Sequence, residues 1–241
     1  MSKQTKKIKL AVFDIDGTIF RSSLTVELVN GFFAAGIFPK RAKKEMETDY
    51  LAWMDRKGHY DTFTNKLIEI LFRYLPGKKK QDVDRAVVEV LSWQKNRVYR
   101  YTRDLIKDLR HKKYYLIAIS GSPSYMVQKF AFAMGFRIAY GLPYEIKDEK
   151  FTGQILNMGP VEHKETVLKS IIEKYQLDPD YEQSIAVGDT HIDIPMLEMV
   201  GQPVAFNPNR ELAEYAQKRK WKIVVERKDV IYNIKNFVFE V

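Results

Sequence analysis

A short apolar run that stops at two acids and a glycine does most to limit how this chain can fold. Residues 8–15 read IKLAVFDI, and the sequence continues Asp16-Gly17-Thr18. Branched side chains bounded by a glycine turn predict a buried strand. Four more runs behave alike: residues 114–119 (YYLIAI, ending at Ser-Gly-Ser-Pro), 184–187 (SIAV, ending at Gly-Asp), 203–206 (PVAF) and 222–225 (KIVV). Helical spacing fills 102–112, 125–134, 164–175, 194–200 and 211–219. Strands alternating with helices predict an α/β fold, with a parallel sheet covered on both faces. Residues 144–156 break the alternation and read as a hairpin around a charged turn at 148–150.

Residues 24–94 hold no strand-like run. Apolar residues recur there at helical spacing, as in Val26, Val29, Phe32 and Phe33, then Leu67, Ile68, Ile70 and Leu71. This predicts an all-helical insertion over 22–96, with the core formed by 1–21 and 97–241. The 45% apolar content suffices for a buried core. No cysteine is present, which excludes disulfides, iron–sulfur clusters, thiolate zinc sites and a cysteine nucleophile. No apolar run approaches the ~18 residues of a membrane span. The basic start, MSKQTKK, lacks the apolar stretch of a signal peptide. The expectation is a soluble cytoplasmic protein. A net charge of +9 suits nucleic acid or acidic ligands, but a generally basic solvated surface is the simpler reading.

In open parallel sheets ligands bind at the carboxyl ends of the strands. Here those ends carry Asp14, Asp16 and Thr18, then Ser120 and Gly121, then Asp189. Clustered carboxylates repel unless a cation sits among them, and a hard divalent ion such as Mg²⁺ fits oxygen ligands. Lys164 opens the helix before the third of these strands and can bring positive charge to an anionic group. Taken singly, Ser-Gly after a strand is usually a turn, a helix-start lysine is usually solvated, and Asp193 can simply favour a helix start. Their order and strand context together make the case.

With these motifs, and with FTGQI at 151–155, GDTHIDIPML at 188–197 and GQPVAFNPNRELAEYA at 201–216, the chain resembles the haloacid dehalogenase superfamily. The resemblance is to the branch of aspartate-based phosphatases that includes phosphoserine phosphatases (subfamily IB). It implies a Rossmann-like core with a helical cap inserted after the first motif. It implies Asp14 as nucleophile and Asp16 as general acid and base. Mg²⁺ would be held by Asp14, Asp189 and the Asp16 backbone carbonyl. Ser120, Gly121 and Lys164 would bind phosphate, with Thr18 and Asp193 supporting. Mg²⁺ and Lys164 would keep Asp14 ionised.

Two departures stand out. Phosphoserine phosphatases carry a glutamate for the substrate's ammonium where this chain has Ser23, and their GDGAND becomes a motif with His191-Ile192. His191 reads as a loop histidine without a role. Should phosphoserine nonetheless rank first as substrate, another acid must hold its ammonium, and Glu27, one helical turn beyond Ser23, is the candidate. The cap residues Phe32, Phe33, Tyr50, Trp53 and Arg56 are candidates to line a substrate site, or to be core or surface. The expected activity is a Mg²⁺-dependent phosphomonoesterase acting on a small organic phosphate through an aspartyl-phosphate. The alternatives are phosphotransfer from the same intermediate and a non-catalytic basic binding protein. Neither membrane nor nucleic acid is expected as a partner, and the oligomeric state is not legible.

Overall fold

The computed structural model describes residues 7–58 and 60–235. The basic start, residues 1–6, lies outside them. After β1 (Leu10–Phe13) come four helices: α1 (Leu24–Ala34), α2 (Lys40–Met54), α3 (Tyr60–Tyr74) and α4 (Lys80–Gln94). Next are α5 (Arg100–His111), β2 (Tyr115–Pro123), α6 (Ser124–Ala133), β3 (Ile138–Leu142) and the hairpin of β4 (Tyr144–Lys147) with β5 (Lys150–Ile155). Then follow α7 (Gly159–Glu162), α8 (Lys164–Lys174), β6 (Ile185–Gly188), a 3-10 turn at His191–Asp193 and α9 (Ile194–Leu197). The last described elements are β7 (Gln202–Phe206), α10 (Arg210–Arg219), β8 (Lys222–Arg227) and β9 (Val230–Ile234).

Side chains on a strand alternate between faces, and here both faces are buried. On β1, Ala11 and Phe13 join one apolar cluster while Leu10 and Val12 join another. The same split separates Leu116 and Ala118 from Ile117 and Ile119 on β2. Helices α5 and α6 cover the first face; α8, α9 and α10 cover the second. This double burial is why the strands read as continuous apolar runs.

The main sheet runs in the order β3-β2-β1-β6-β7-β8-β9 and is parallel except for the last pair. The chain leaves β1 towards β2 on one side and later returns to β6 on the other. The ends of these three strands therefore meet at the topological switch point, where open sheets leave a crevice.

Several boundaries differ from expectation. β1 ends at Phe13, not at residue 15: Asp14 N still donates to Val187 O at 2.9 Å, but the chain then turns, with Gly17 N bonded to Phe20 O. The helix expected over 194–200 stops at Leu197 after a 3-10 turn. β3 and β9 were not foreseen. Gly141 interrupts the pattern of β3, and β9 is an edge strand with Val230 and Tyr232 exposed.

The insertion is helical, as its periodicity predicts. Its side chains share the cluster that holds Phe13 and Phe206. The two crossings into it are bonded to each other, Arg21 N to Arg97 O at 2.9 Å, beside an antiparallel bridge between Phe20 and Val98. The loop after α3 also pairs with the hairpin: Gly77 N to Phe151 O at 2.7 Å, Phe151 N to Lys78 O at 3.0 Å and Lys80 N to Glu149 O at 2.8 Å. We propose that residues 22–96 form a cap on a core of residues 1–21 and 97–241.

Candidate active site

Lys164 is the first residue of α8, where the helix dipole disfavours a cation, and it is almost wholly buried. Two carboxylates offset both penalties. Lys164 Nζ donates to Asp14 Oδ1 at 2.5 Å and to Asp193 Oδ1 at 2.6 Å. The other oxygen of Asp193 accepts from the backbone N–H of Asp189 and of Thr190, both at 3.0 Å. Asp193 thus closes a capping box with Thr190 while it holds the lysine.

Asp189 follows β6, and its Oδ1 accepts from Thr18 Oγ1 at 3.1 Å. Gly17 has φ +80°, and a Cβ there would lie 2.1 Å from Asp189 Oδ2. Glycine is required at this turn by conformation and by space alike. Gly188 is required for a similar reason: its Cβ would lie 2.5 Å from the Asp193 Cβ.

Burial dominates the electrostatics. It lifts the Asp14 carboxyl from 3.8 to about 7; Lys164 opposes the rise, while the Asp193 and Asp16 charges add to it. Lys164 thus acts in the expected direction, but a single buried ammonium does not by itself offset the lost hydration. Burial also raises Asp189, helped by Asp14 and Asp193 and resisted by Lys164 and Thr18. For Lys164 burial pulls downward, but Asp14 and Asp193 outweigh it and the group stays cationic.

Asp14, Asp189 and Asp193 each offer an oxygen within 4.8 Å of the others. Both Asp193 oxygens are already engaged, whereas Asp14 Oδ2 is buried without a partner. An orphaned carboxylate oxygen beside a second acid fits a hard divalent cation, with Asp14 and Asp189 as the side-chain ligands.

The Asp16 carboxylate turns away from this group. Its Oδ1 accepts from Leu24 N at 2.5 Å, at the start of α1. Its Oδ2 accepts from the hydroxyls of Ser120 at 2.6 Å and Ser122 at 2.9 Å. Ser122 also accepts from Thr25 N at 3.2 Å and shares a bond with Thr25 Oγ1 at 2.8 Å. Sequence reasoning missed Ser122. The available signal was its place two residues beyond Ser120, hence on the same side of an extended chain.

A cavity of about 980 Å³ brings together Asp14, Asp16, Ser23, Gly121, Lys164 and Asp189. Ser120 is fully buried behind it. Ser23 caps α1, its hydroxyl accepting from Thr25 N. Tyr50 and Trp53 line the cavity. Phe32 is core and Phe33 packs against it, while Arg56 is exposed. His191 lies outside the cavity lining, 3.2 Å from Asn209 and 3.0 Å from Glu211. Glu27 lines the cavity half-buried; burial raises its carboxyl, while Arg97 and a hydrogen bond from Ser22 lower it.

A family model described as haloacid dehalogenase-like hydrolase matches residues 11–198. The phosphoserine phosphatase of Methanocaldococcus jannaschii is 27% identical over 227 residues, covering 93% of this chain and 95% of its own. A probable phosphatase of Mycobacterium tuberculosis is 26% identical over 219 residues, covering 89% and 74%. Among solved structures, a protein of unknown function from Bordetella pertussis superposes with a TM-score of 0.74 at 18% identity, covering 90% and 98%. A phosphoserine phosphatase solved as a phospho-aspartyl intermediate analogue gives 0.59 at 24%, covering 93% and 96%. At these identities the structural likenesses establish the fold. No helix among the described residues is long and apolar enough to cross a membrane.

Proposed function

Because the chain belongs to the haloacid dehalogenase-like hydrolases, we propose that it hydrolyses phosphomonoesters through a phosphorylated Asp14. The observation that carries this reading is the buried Lys164 bound to both Asp14 and Asp193, beside Asp189, at the switch point of the sheet. A purely structural core does not need three carboxylates and an ammonium in one water-poor pocket, since burying them is costly.

An Asp14 carboxylate oxygen attacks phosphorus, and the P–O bond to the alcohol breaks. Asp16, protonated beforehand, gives its proton to the departing alkoxide. Water then attacks the aspartyl-phosphate, Asp16 takes a proton from it, and phosphate leaves with Asp14 restored. The Ser120 and Ser122 hydroxyls suit both states of Asp16, because each can donate to a carboxylate or accept from a carboxylic acid. Lys164 holds Asp14 in place and meets the negative charge of the phosphoryl oxygens. Mg²⁺, held by Asp14 and Asp189, would stabilise charge on the phosphoryl group.

A cytoplasmic setting belongs to the same proposal. Phosphoserine is not favoured as substrate. Ser23 carries no charge and is committed to its helix cap, and Glu27 already faces Ser22 and Arg97. The test is hydrolysis of p-nitrophenyl phosphate with Mg²⁺ and with EDTA, followed by mass spectrometry of acid-trapped protein. Phosphate on Asp14 is expected. Phosphate on another residue, or full activity in excess EDTA, overturns the proposal.

A further inference from the structure

The cavity above the carboxylates is larger and more apolar than a small polar phosphate needs. At about 980 Å³ it sits at the upper end of the roughly 300–1,000 Å³ that encloses a drug-sized ligand. Its upper wall is built from α2 and α3. On α3, Leu67 and Leu71 form one row, one turn apart, and are buried in the core. The adjacent row, Ile68 and Phe72, also lines the cavity but stays 41% and 46% exposed. On α2, Tyr50 and Met54, again four residues apart, are 37% and 53% exposed and line the same space.

Two helices thus present apolar surface that folding does not bury, continuous with the site that holds Asp14 and Lys164. Contiguous exposed apolar surface of this kind marks a ligand groove. Among the charged lining residues Lys43 stands 3.9 Å from Glu47, Glu27 is held by Ser22 and Arg97, and Arg21 lies over the Tyr99 ring. The wall mixes Met46, Met54 and Ile68 with the rings of Tyr50, Trp53 and Phe72, an apolar surface rather than one built to read a polar head group.

We propose that the substrate is a phosphomonoester whose alcohol carries an extended apolar body, seated along Tyr50, Met54, Ile68 and Phe72 with its phosphate at Asp14. This rests on the phosphatase reading and names the substrate class for that site. A chain laid on this wall leaves water methylene by methylene. Each one buried gains roughly two- to fourfold in kcat/KM, and the gain ends where the chain emerges from the cavity.

The test measures kcat/KM with Mg²⁺ across ethyl, butyl, hexyl, octyl and decyl phosphate below their micellar concentrations, beside phosphoserine and a nucleoside monophosphate. In parallel, calorimetry compares ethyl and octyl phosphonate, which bind without turnover. The expected result is a steep rise with chain length and tighter binding of octyl phosphonate. The slope should flatten in Ile68→Gln/Phe72→Gln, whose fold is checked by circular dichroism. Hydrolysis that is flat across the series, or a nucleoside monophosphate ranking above octyl phosphate, overturns the inference and leaves the phosphatase reading standing. Octyl phosphonate bound no tighter than ethyl overturns it even if no ester is hydrolysed; absence of all hydrolysis counts against the phosphatase reading alone.

Discussion

Replacing Asp14 by Asn should abolish turnover and, without metal, make the protein more stable at about pH 8. Burial lifts the Asp14 carboxyl from 3.8 to about 7, even with Lys164 at 2.5 Å. A folded-state value above the unfolded one means that the folded protein binds the proton more tightly. The resulting stability is complete below the unfolded value and is lost as pH rises towards the folded one. Between about pH 4 and pH 7 the metal-free wild type should therefore lose stability at this site. At about 1.4 kcal/mol for each pH unit of displacement, the loss approaches about 4 kcal/mol. Asp189 is raised by burial and by the Asp14 charge, so the cluster takes up protons as a unit and the change spreads over a wider pH range. Asn fills the same space without ionising. Urea unfolding in EDTA at several pH values between about 4 and 8 should show the variant gaining on the wild type as pH rises. Added Mg²⁺ should narrow the gap, stabilising the wild type by about 2.7 kcal/mol at a hundredfold excess over Kd and the variant far less. Parallel pH profiles for the two proteins in EDTA would refute the reasoning, because the buried carboxyl would then not titrate between those limits.

Asp16→Asn should cost ~10²–10⁴-fold in kcat, the usual worth of a positioned proton donor, with the fold intact by circular dichroism; a loss below tenfold would remove Asp16 from the proton transfers. Gly17→Ala should weaken Mg²⁺ binding, measured by calorimetry, since its Cβ would meet Asp189 Oδ2 at 2.1 Å in a backbone of φ +80°; unchanged affinity would mean that Asp189 is not a ligand. Phosphoserine should rank low in kcat/KM among phosphomonoesters, and Ser23→Glu should raise it selectively by supplying a charge for the ammonium. If phosphoserine ranks first with Ser23 present, another acid in the cavity holds the amino group.

The core strands were legible because both faces of the sheet are buried. Alternation then vanishes, and Leu10, Ala11, Val12 and Phe13 form one unbroken apolar run. β9 escaped because it is an edge, where exposed Val230 and Tyr232 dilute the pattern. Carboxylates directly after strands were legible as well, since a charge at the end of a buried run has few structural uses. What the sequence could not supply was direction. Asp14 and Asp16 stand two residues apart, yet one carboxylate faces Lys164 and the other faces Ser120, Ser122 and the start of α1. That divergence follows from the strand ending at Phe13, and turn geometry is set by the neighbours that close around it. The size of the cavity was equally hidden: Ile68 and Leu71 carry the same apolar label, but only the packed structure separates the exposed row from the buried one.

The bonds between the loop after α3 and the hairpin have a kinetic consequence. The helical insertion is tethered at its two bonded crossings and again where residues 77–80 pair with 149–151. A lid held by one pair of linkers can swing; a third tether removes that rotation unless Gly77, Lys80 and Phe151 release their hydrogen bonds. On the proposed reading, the alcohol then has to leave from under a fixed wall that includes Met54 and Phe72 before water arrives. An oily alcohol that lingers there keeps its own oxygen nearest the phosphorylated carboxylate. On that reading the reverse reaction would compete with hydrolysis, and a longer apolar chain would slow turnover by delaying its own departure.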